Sequence, residues 1–264
     1  GRQATMSLNN VFVAGRTKSV LLDFDALKQG RIEETNLKLD GVAGGNFAIN
    51  GGYITRGHIY TCNMQTDITG GTMNIFHWEE AHPLVAPIRI ASYKSDGIEG
   101  APTGRFDGFM SVDLDKDGNG FIFVHRNPGV AAVGIIRLTV KGFTNISNPT
   151  FILTKATTHP GAWASYNKVE GEDTYVYSGW TGPIMLANSS GNISYTIPID
   201  KIAAVNGVNA QIINFNQERY LAMMTTGEGS INVYDITQGA TLADASTRLK
   251  GILQMEMLLS ALTG

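Results

Sequence analysis

Three aspartates spaced two apart, Asp113, Asp115 and Asp117, followed at once by Gly118, form the densest set of candidate ligands in the chain. Alternating carboxylates before a glycine present oxygens to a hard cation and match the opening of a calcium-binding loop. The match then fails: the twelfth position, which in such a loop is a bidentate Glu, is Val124, and apolar strand residues begin at Phe121 where a helix should leave. Asp and Asn also stabilise turns by bonding their own backbone. The sequence therefore favours a plain turn between two strands, with a weak calcium site at Asp113, Asp115 and Asp117 as the alternative. No other cofactor is expected.

His77 and His82 flank Trp78-Glu79-Glu80. A zinc-protease helix needs histidines four apart with Glu directly after the first. Here they are five apart, on an expected strand followed by Pro83, so metal binding is not expected. His58, His125 and His159 are isolated in sequence. The single cysteine, Cys62, rules out an internal disulfide framework and a Cys-rich zinc site, and the alternating run His58 to Cys62 reads as a strand with an inert thiol. No Gly-x-Ser-x-Gly elbow, phosphate-cradling loop or dinucleotide fingerprint is present, which disfavours nucleophilic and nucleotide chemistry.

Of 264 residues, 43% are hydrophobic and 16% charged, with a net charge of −3. This apolar content excludes a disordered chain. The lack of any Lys/Arg-rich run argues against nucleic-acid binding, which needs phosphate-neutralising charge. No stretch reaches the roughly 18 apolar residues of a membrane-spanning helix. No leader is visible, and because the chain opens at Gly1 and not at Met this excludes nothing.

These residues are set in a repeat. A short apolar strand, a turn rich in Asn, Asp or Gly, and a second aromatic-rich strand recur five times: Ala4 to Leu8 with Val11 to Ala14, Phe47 to Asn50 with His58 to Thr61, Gly108 to Val112 with Phe121 to Val124, Trp163 to Tyr166 with Thr174 to Tyr177, and Gln211 to Phe215 with Tyr220 to Met223. Third strands follow at Ser19 to Phe24, Thr72 to Trp78, Val133 to Leu138, Pro183 to Leu186 and Ser230 to Asp235, and fourth strands at Pro87 to Ile90, Thr150 to Leu153 and Ile193 to Ile197. Four antiparallel strands per unit predict an all-β fold, a β-propeller of four-stranded blades forming one domain over residues 1–264. About five blades are visible, six or seven if the chain is a fragment. Leu249 to Leu262 suits a short helix or a closing strand. A β-sandwich is the structural competitor.

The turn and strand from Val112 to Val124 resemble those of NHL-like propeller repeats. Val11 to Arg16, Gly44 to Asn50 and Asn74 to Trp78 are similar to an uncharacterised family of secreted β-propellers from gut Bacteroidetes, over most of the chain. That resemblance implies an exported protein, extracellular or periplasmic; it carries no known activity and transfers no catalytic residue.

By analogy with propellers generally, ligands meet the face where each innermost strand begins. The loops entering those strands offer Asn46, Arg105, Asp107, Trp163 and Asn209, and the connections between second and third strands offer Arg16, Arg126 and Trp180. The tryptophans present flat faces on which a sugar ring stacks, and Arg and Asn supply donors and acceptors. The long connection from Tyr93 to Phe106 brings Asp96 and Glu99 to the same region. The leading expectation is a non-enzymatic cell-surface binding module for a glycan, small polar ligand or partner protein. A cation-assisted hydrolase or lyase, using Asp96, Glu99, Arg105 and Asp107, is one alternative. A structural platform within a larger surface protein is another.

Overall fold

The computed structural model describes residues 3–15, 18–40, 42, 51–64, 72–94, 98, 106–126, 134–152, 165–179, 183–197, 207–225, 230–237 and 249–254. The fold is a β-propeller of five four-stranded antiparallel blades. Blade one holds β1 (Gln3–Met6), β2 (Asn10–Ala14), β3 (Val20–Asp23) and β4 (Glu34–Asn36), with the helix α1 (Phe24–Lys28) between the last two. Blade two is β5 (Gly51–Thr55), β6 (His58–Met64), β7 (Thr72–Glu79) and β8 (Ile88–Lys94). Blade three is β9 (Phe106–Leu114), β10 (Gly120–Arg126), β11 (Gly134–Lys141) and β12 (Asn145–Phe151). Blade four is β13 (Ser165–Lys168), β14 (Tyr175–Ser178), β15 (Ile184–Ala187) and β16 (Ile193–Ile197). Blade five is β17 (Gly207–Phe215), β18 (Glu218–Thr225), β19 (Ser230–Asp235) and β20 (Leu249–Gln254). Within every blade the strands are paired in sequence order.

The chain divides into two compact units, Gly1–Thr154 with blades one to three and Lys155–Gly264 with blades four and five. In the first unit, side-chain alternation decides which neighbour each residue meets. Ile59 of β6 and Phe76 and Trp78 of β7 pack with Phe12 and Leu21 of blade one. Tyr60 and Cys62 of β6, with Met73 and Ile75 of β7, pack instead with Val112, Ile122 and Leu138 of blade three. Both faces of β7 are thus covered, and its interior residues are all buried. The outer strand β8 is half-buried or exposed throughout, so its edge stays hydrated. In the second unit Val176, Ile184 and Leu186 pack with Ile212, Leu221 and Tyr234.

Buried polar side chains tie neighbouring blades together. Gln3 Nε2 donates to the Met110 carbonyl at 2.6 Å, and its Oε1 accepts from the amides of Gly52 and Met110, both at 3.1 Å. One glutamine therefore joins three blades. In the second unit Ser178 Oγ accepts from the Ala210 amide at 2.9 Å.

The sequence pattern places the first strand of blade two at Phe47 to Asn50, which lie outside the described residues. The strand that pairs with β6 is Gly51–Thr55. Gly51-Gly52 reads as a turn, yet Gly52 is a packing residue: a Cβ there would lie 2.5 Å from the Phe12 ring. The Leu249 segment is a closing strand over β20, hydrogen-bonded to β19. Blade one closes with Glu34–Asn36, three exposed polar residues with no hydrophobic signature.

Candidate functional site

The β5 and β6 strands are joined by a two-residue turn, Arg56-Gly57, in register Thr55 to His58. Both turn residues have positive φ, 50° and 80°. This is the pattern of a type I′ hairpin turn, whose first position usually carries Asn, Asp or Gly. Arg56 occupies it because its side chain is anchored: Nε donates to the Leu114 carbonyl, at the end of β9, at 2.9 Å. Among the described residues the η nitrogens make no further hydrogen bond and Arg56 has no carboxylate partner.

Beside this turn, Ser7 closes the β1–β2 connection by accepting from the Asn10 amide at 3.0 Å. Ser7 Oγ donates to Glu80 Oε1 at 2.6 Å, Asn10 Nδ2 donates to the same oxygen at 2.7 Å, and the Glu80 amide donates to the Gly57 carbonyl at 2.8 Å. Glu80 is thus fixed at both its backbone and one oxygen, and its Oε2 has no hydrogen bond among the described residues. A pocket of about 690 Å³ opens between the two turns, lined by Met6, Leu8, Tyr53, Thr55, Arg56 and Glu80. Tyr53 is half-buried, and burial together with the nearby Asp113 carboxylate raises its phenol, which keeps it a neutral donor.

A second cluster lies one residue away along β6. His58 Nδ1 and His77 Nε2 are 2.8 Å apart, so one donates to the other. The His58 ring stacks on Phe143 at 3.9 Å between centroids. Burial lowers both imidazoles, and the neighbouring His58 lowers His77 further, to about 4, against an opposing pull from Glu79. Both rings are therefore neutral at pH 7. His77, Glu79, His82, Val85 and Ile88 border a smaller pocket of about 310 Å³.

The aspartate series builds a support for this cluster. Asp115 Oδ1 accepts from the amides of Asp117 and Asn119, both at 2.9 Å, and those bonds hold its carboxyl below the usual range. Asp117 pairs with Lys116, and Asp113 is half-buried in β9. The turn in turn holds the β11–β12 hairpin: the Phe143 amide donates to the Gly118 carbonyl at 3.0 Å, and the Gly142 amide to Asn119 Oδ1 at 3.2 Å. Among the described residues no group of three His, Cys, Asp or Glu side chains is placed to hold a metal ion.

Arg16, Asn46, Arg105, Trp163 and Trp180 lie outside the described residues, as do Asp96, Glu99 and His159. Asp107, Arg126 and Asn209 lie in β9, β10 and β17, where the backbone alone is described. Arg126 and Asn209 both adjoin a register shift in their pairing. Cys62 is fully buried, and burial pushes its thiol up to about 12. Arg56, Tyr53 and Glu80 carry no motif. The signal for Arg56 is an Arg-Gly pair between two alternating runs, visible only once Gly51 and Gly52 are read as strand.

A family profile described as a domain of unknown function, DUF4623, matches residues 2–258. The chain belongs to the DUF4623 family. Its fold is similar to that of a DUF4623 family protein from Bacteroides eggerthii, with 26% sequence identity and a TM-score of 0.76. That match covers 96% of the present DUF4623 chain and 60% of the Bacteroides eggerthii chain, so this chain spans less than two thirds of that protein's length. Two structures of a Fusarium graminearum α-L-arabinofuranosidase, one of them in complex with arabinobiose, share the fold. Their identities are 7% and 6% and their TM-scores 0.52 and 0.54; the matches cover 85% and 88% of this chain and 74% and 76% of theirs. No curated protein matches the DUF4623 chain at a significant level. Among the described residues no helix is long and apolar enough to cross a membrane.

Proposed function

We propose that this chain is a non-enzymatic binding module of an exported or cell-surface protein, and that it takes a small polar ligand in the pocket between the β1–β2 and β5–β6 turns. The observation that carries this reading is Arg56, held at a left-handed turn position by its Nε and bordering the pocket with its remaining donors. A long side chain in that conformation is uncommon, and such outliers persist where the surroundings over-determine them, often at ligand clamps. The pocket's volume falls in the range of about 300–1,000 Å³ typical of small-molecule sites.

Binding is favoured over hydrolysis because glycoside cleavage generally uses two carboxylates across the scissile bond, and Glu80 is the one carboxylate among the described residues lining this pocket. The site differs from the expected mouth, since it lies where innermost strands end and not where they begin. A glycan seat at the mouth, using Trp163 and Trp180, and docking of a partner protein remain companion proposals. Amide chemical shifts of the ¹⁵N-labelled protein, titrated with neutral sugars, sugar acids and amino acids, test the reading. Saturable shifts confined to Thr55, Arg56, Gly57 and Glu80 are expected for at least one of these probes. Silence at those amides for every probe would remove the pocket as a binding site and leave the platform reading.

A further inference from the structure

We propose that the ligand of this pocket is a hydroxylated organic anion of the sugar-acid class, its carboxylate held by Arg56 and its hydroxyls by Glu80. The inference rests on the pocket being a binding site and adds the chemistry of what fills it.

The argument starts from valence. Arg56 always carries its charge, and a guanidinium fork matches a carboxylate with two parallel hydrogen bonds. Its Nε is already used by the Leu114 carbonyl, which fixes the plane of the fork, and no carboxylate among the described residues neutralises it. Glu80 lines the same pocket but makes no ion pair with Arg56. Ser7 and Asn10 both donate to Glu80 Oε1, which immobilises the carboxylate while Oε2 keeps its lone pairs. The pocket therefore combines one rigid cation that lacks an anion with one rigid acceptor that lacks a donor.

A neutral sugar satisfies Glu80 and leaves Arg56 without a partner of its own charge. A simple carboxylate does the reverse. A sugar acid carries both groups on one compact scaffold, and the exposed Met6 and Leu8 side chains offer apolar contact for the face of its ring. The same chemistry comes from a free sugar acid or from a uronic acid residue within a glycan. An α-amino acid is the competing zwitterion, since its ammonium also donates to Glu80.

Isothermal titration with glucuronate, a galacturonate trimer, glucose and glutamate separates these cases. Glucuronate is expected to bind at least tenfold more tightly than glucose, with affinity falling as salt is raised. Stronger binding of the trimer points to a glycan source, and equal binding to the free acid. Arg56→Asn is the decisive variant, because Asn-Gly is the preferred pair for this turn. It keeps the hairpin and removes the guanidinium, so binding of glucuronate should weaken roughly tenfold or more with little change in Tm. Arg56→Lys should recover part of the affinity. Equal binding of glucose and glucuronate, or tighter binding of glutamate, overturns the ligand class while leaving the pocket as a binding site. Glucuronate binding unchanged in Arg56→Asn overturns the assignment to this pocket. Failure of all four probes overturns the inference and the proposed function together.

Discussion

His58 and His77 share one hydrogen bond across adjacent strands of blade two, Nδ1 to Nε2 at 2.8 Å, although in sequence they stand nineteen residues apart. The ring that accepts cannot take a second proton without losing that bond, since a protonated imidazole has no acceptor, whereas the donating ring keeps it. Phe143 covers His58, Tyr60 packs at an angle to His77, and Glu79 is the carboxylate that acts on both.

The pair makes stability depend on pH with a defined sign. Both folded imidazoles titrate below the ordinary value of 6.5, so between those points the unfolded chain binds more protons than the folded one. Their contribution is complete above about pH 6.5 and is lost as pH falls towards 4. The two sites titrate as a unit. Thermal unfolding followed at pH 7.0 and 4.5 should show a larger fall in Tm for the natural chain than for the double variant His58→Gln, His77→Gln, by roughly 2–4 °C. Parallel profiles would mean the pair does not couple folding to protonation.

Gly118 and Gly57 have nearly the same φ, 79° and 80°, but different surroundings. A Cβ on Gly118 would lie 2.4 Å from both the ring and the amide nitrogen of Phe143, whereas a Cβ on Gly57 meets nothing within 4 Å. Gly57→Ala should cost about 1 kcal/mol, the conformational term alone. Gly118→Ala adds the displacement of Phe143 and should cost about 3 kcal/mol or more. Denaturant unfolding of the two variants measures the difference, and equal losses would show that Phe143 moves aside freely.

Asp115 serves its own turn, because both of its described bonds from Oδ1 run to backbone amides two and four residues on. Asp115→Ala is therefore expected to lower Tm by the same amount in calcium and in chelator, with Asp115→Asn milder because its amide oxygen still accepts. A calcium-induced rise in Tm of the natural chain that disappears in Asp115→Ala would instead establish a cation site at Asp113, Asp115 and Asp117.

The blades were legible in the sequence because each strand alternates with a period of two and each turn carries its own punctuation. β16 falls on Ile193–Ile197 as the pattern predicts, and β19 on Ser230–Asp235. Legibility failed where packing replaces propensity. Gly52 is strand because Phe12 lies over it, and β4 is strand because it completes a hydrogen-bonded edge with β3. Likewise the aspartate series declared a turn, but not that the turn carries Phe143.

Local sequence thus determined the strands and the aspartate turn, which depend on neighbours within a few residues, and the recurrence of that local pattern along the chain determined the fold class. The tertiary structure alone decided that His58 meets His77, that Arg56 borders a pocket with Glu80, and that Gln3 joins three blades. Those relations depend on register between strands and on contacts between blades, at separations of 19 to 107 residues for the bonded pairs, and no local pattern encodes them.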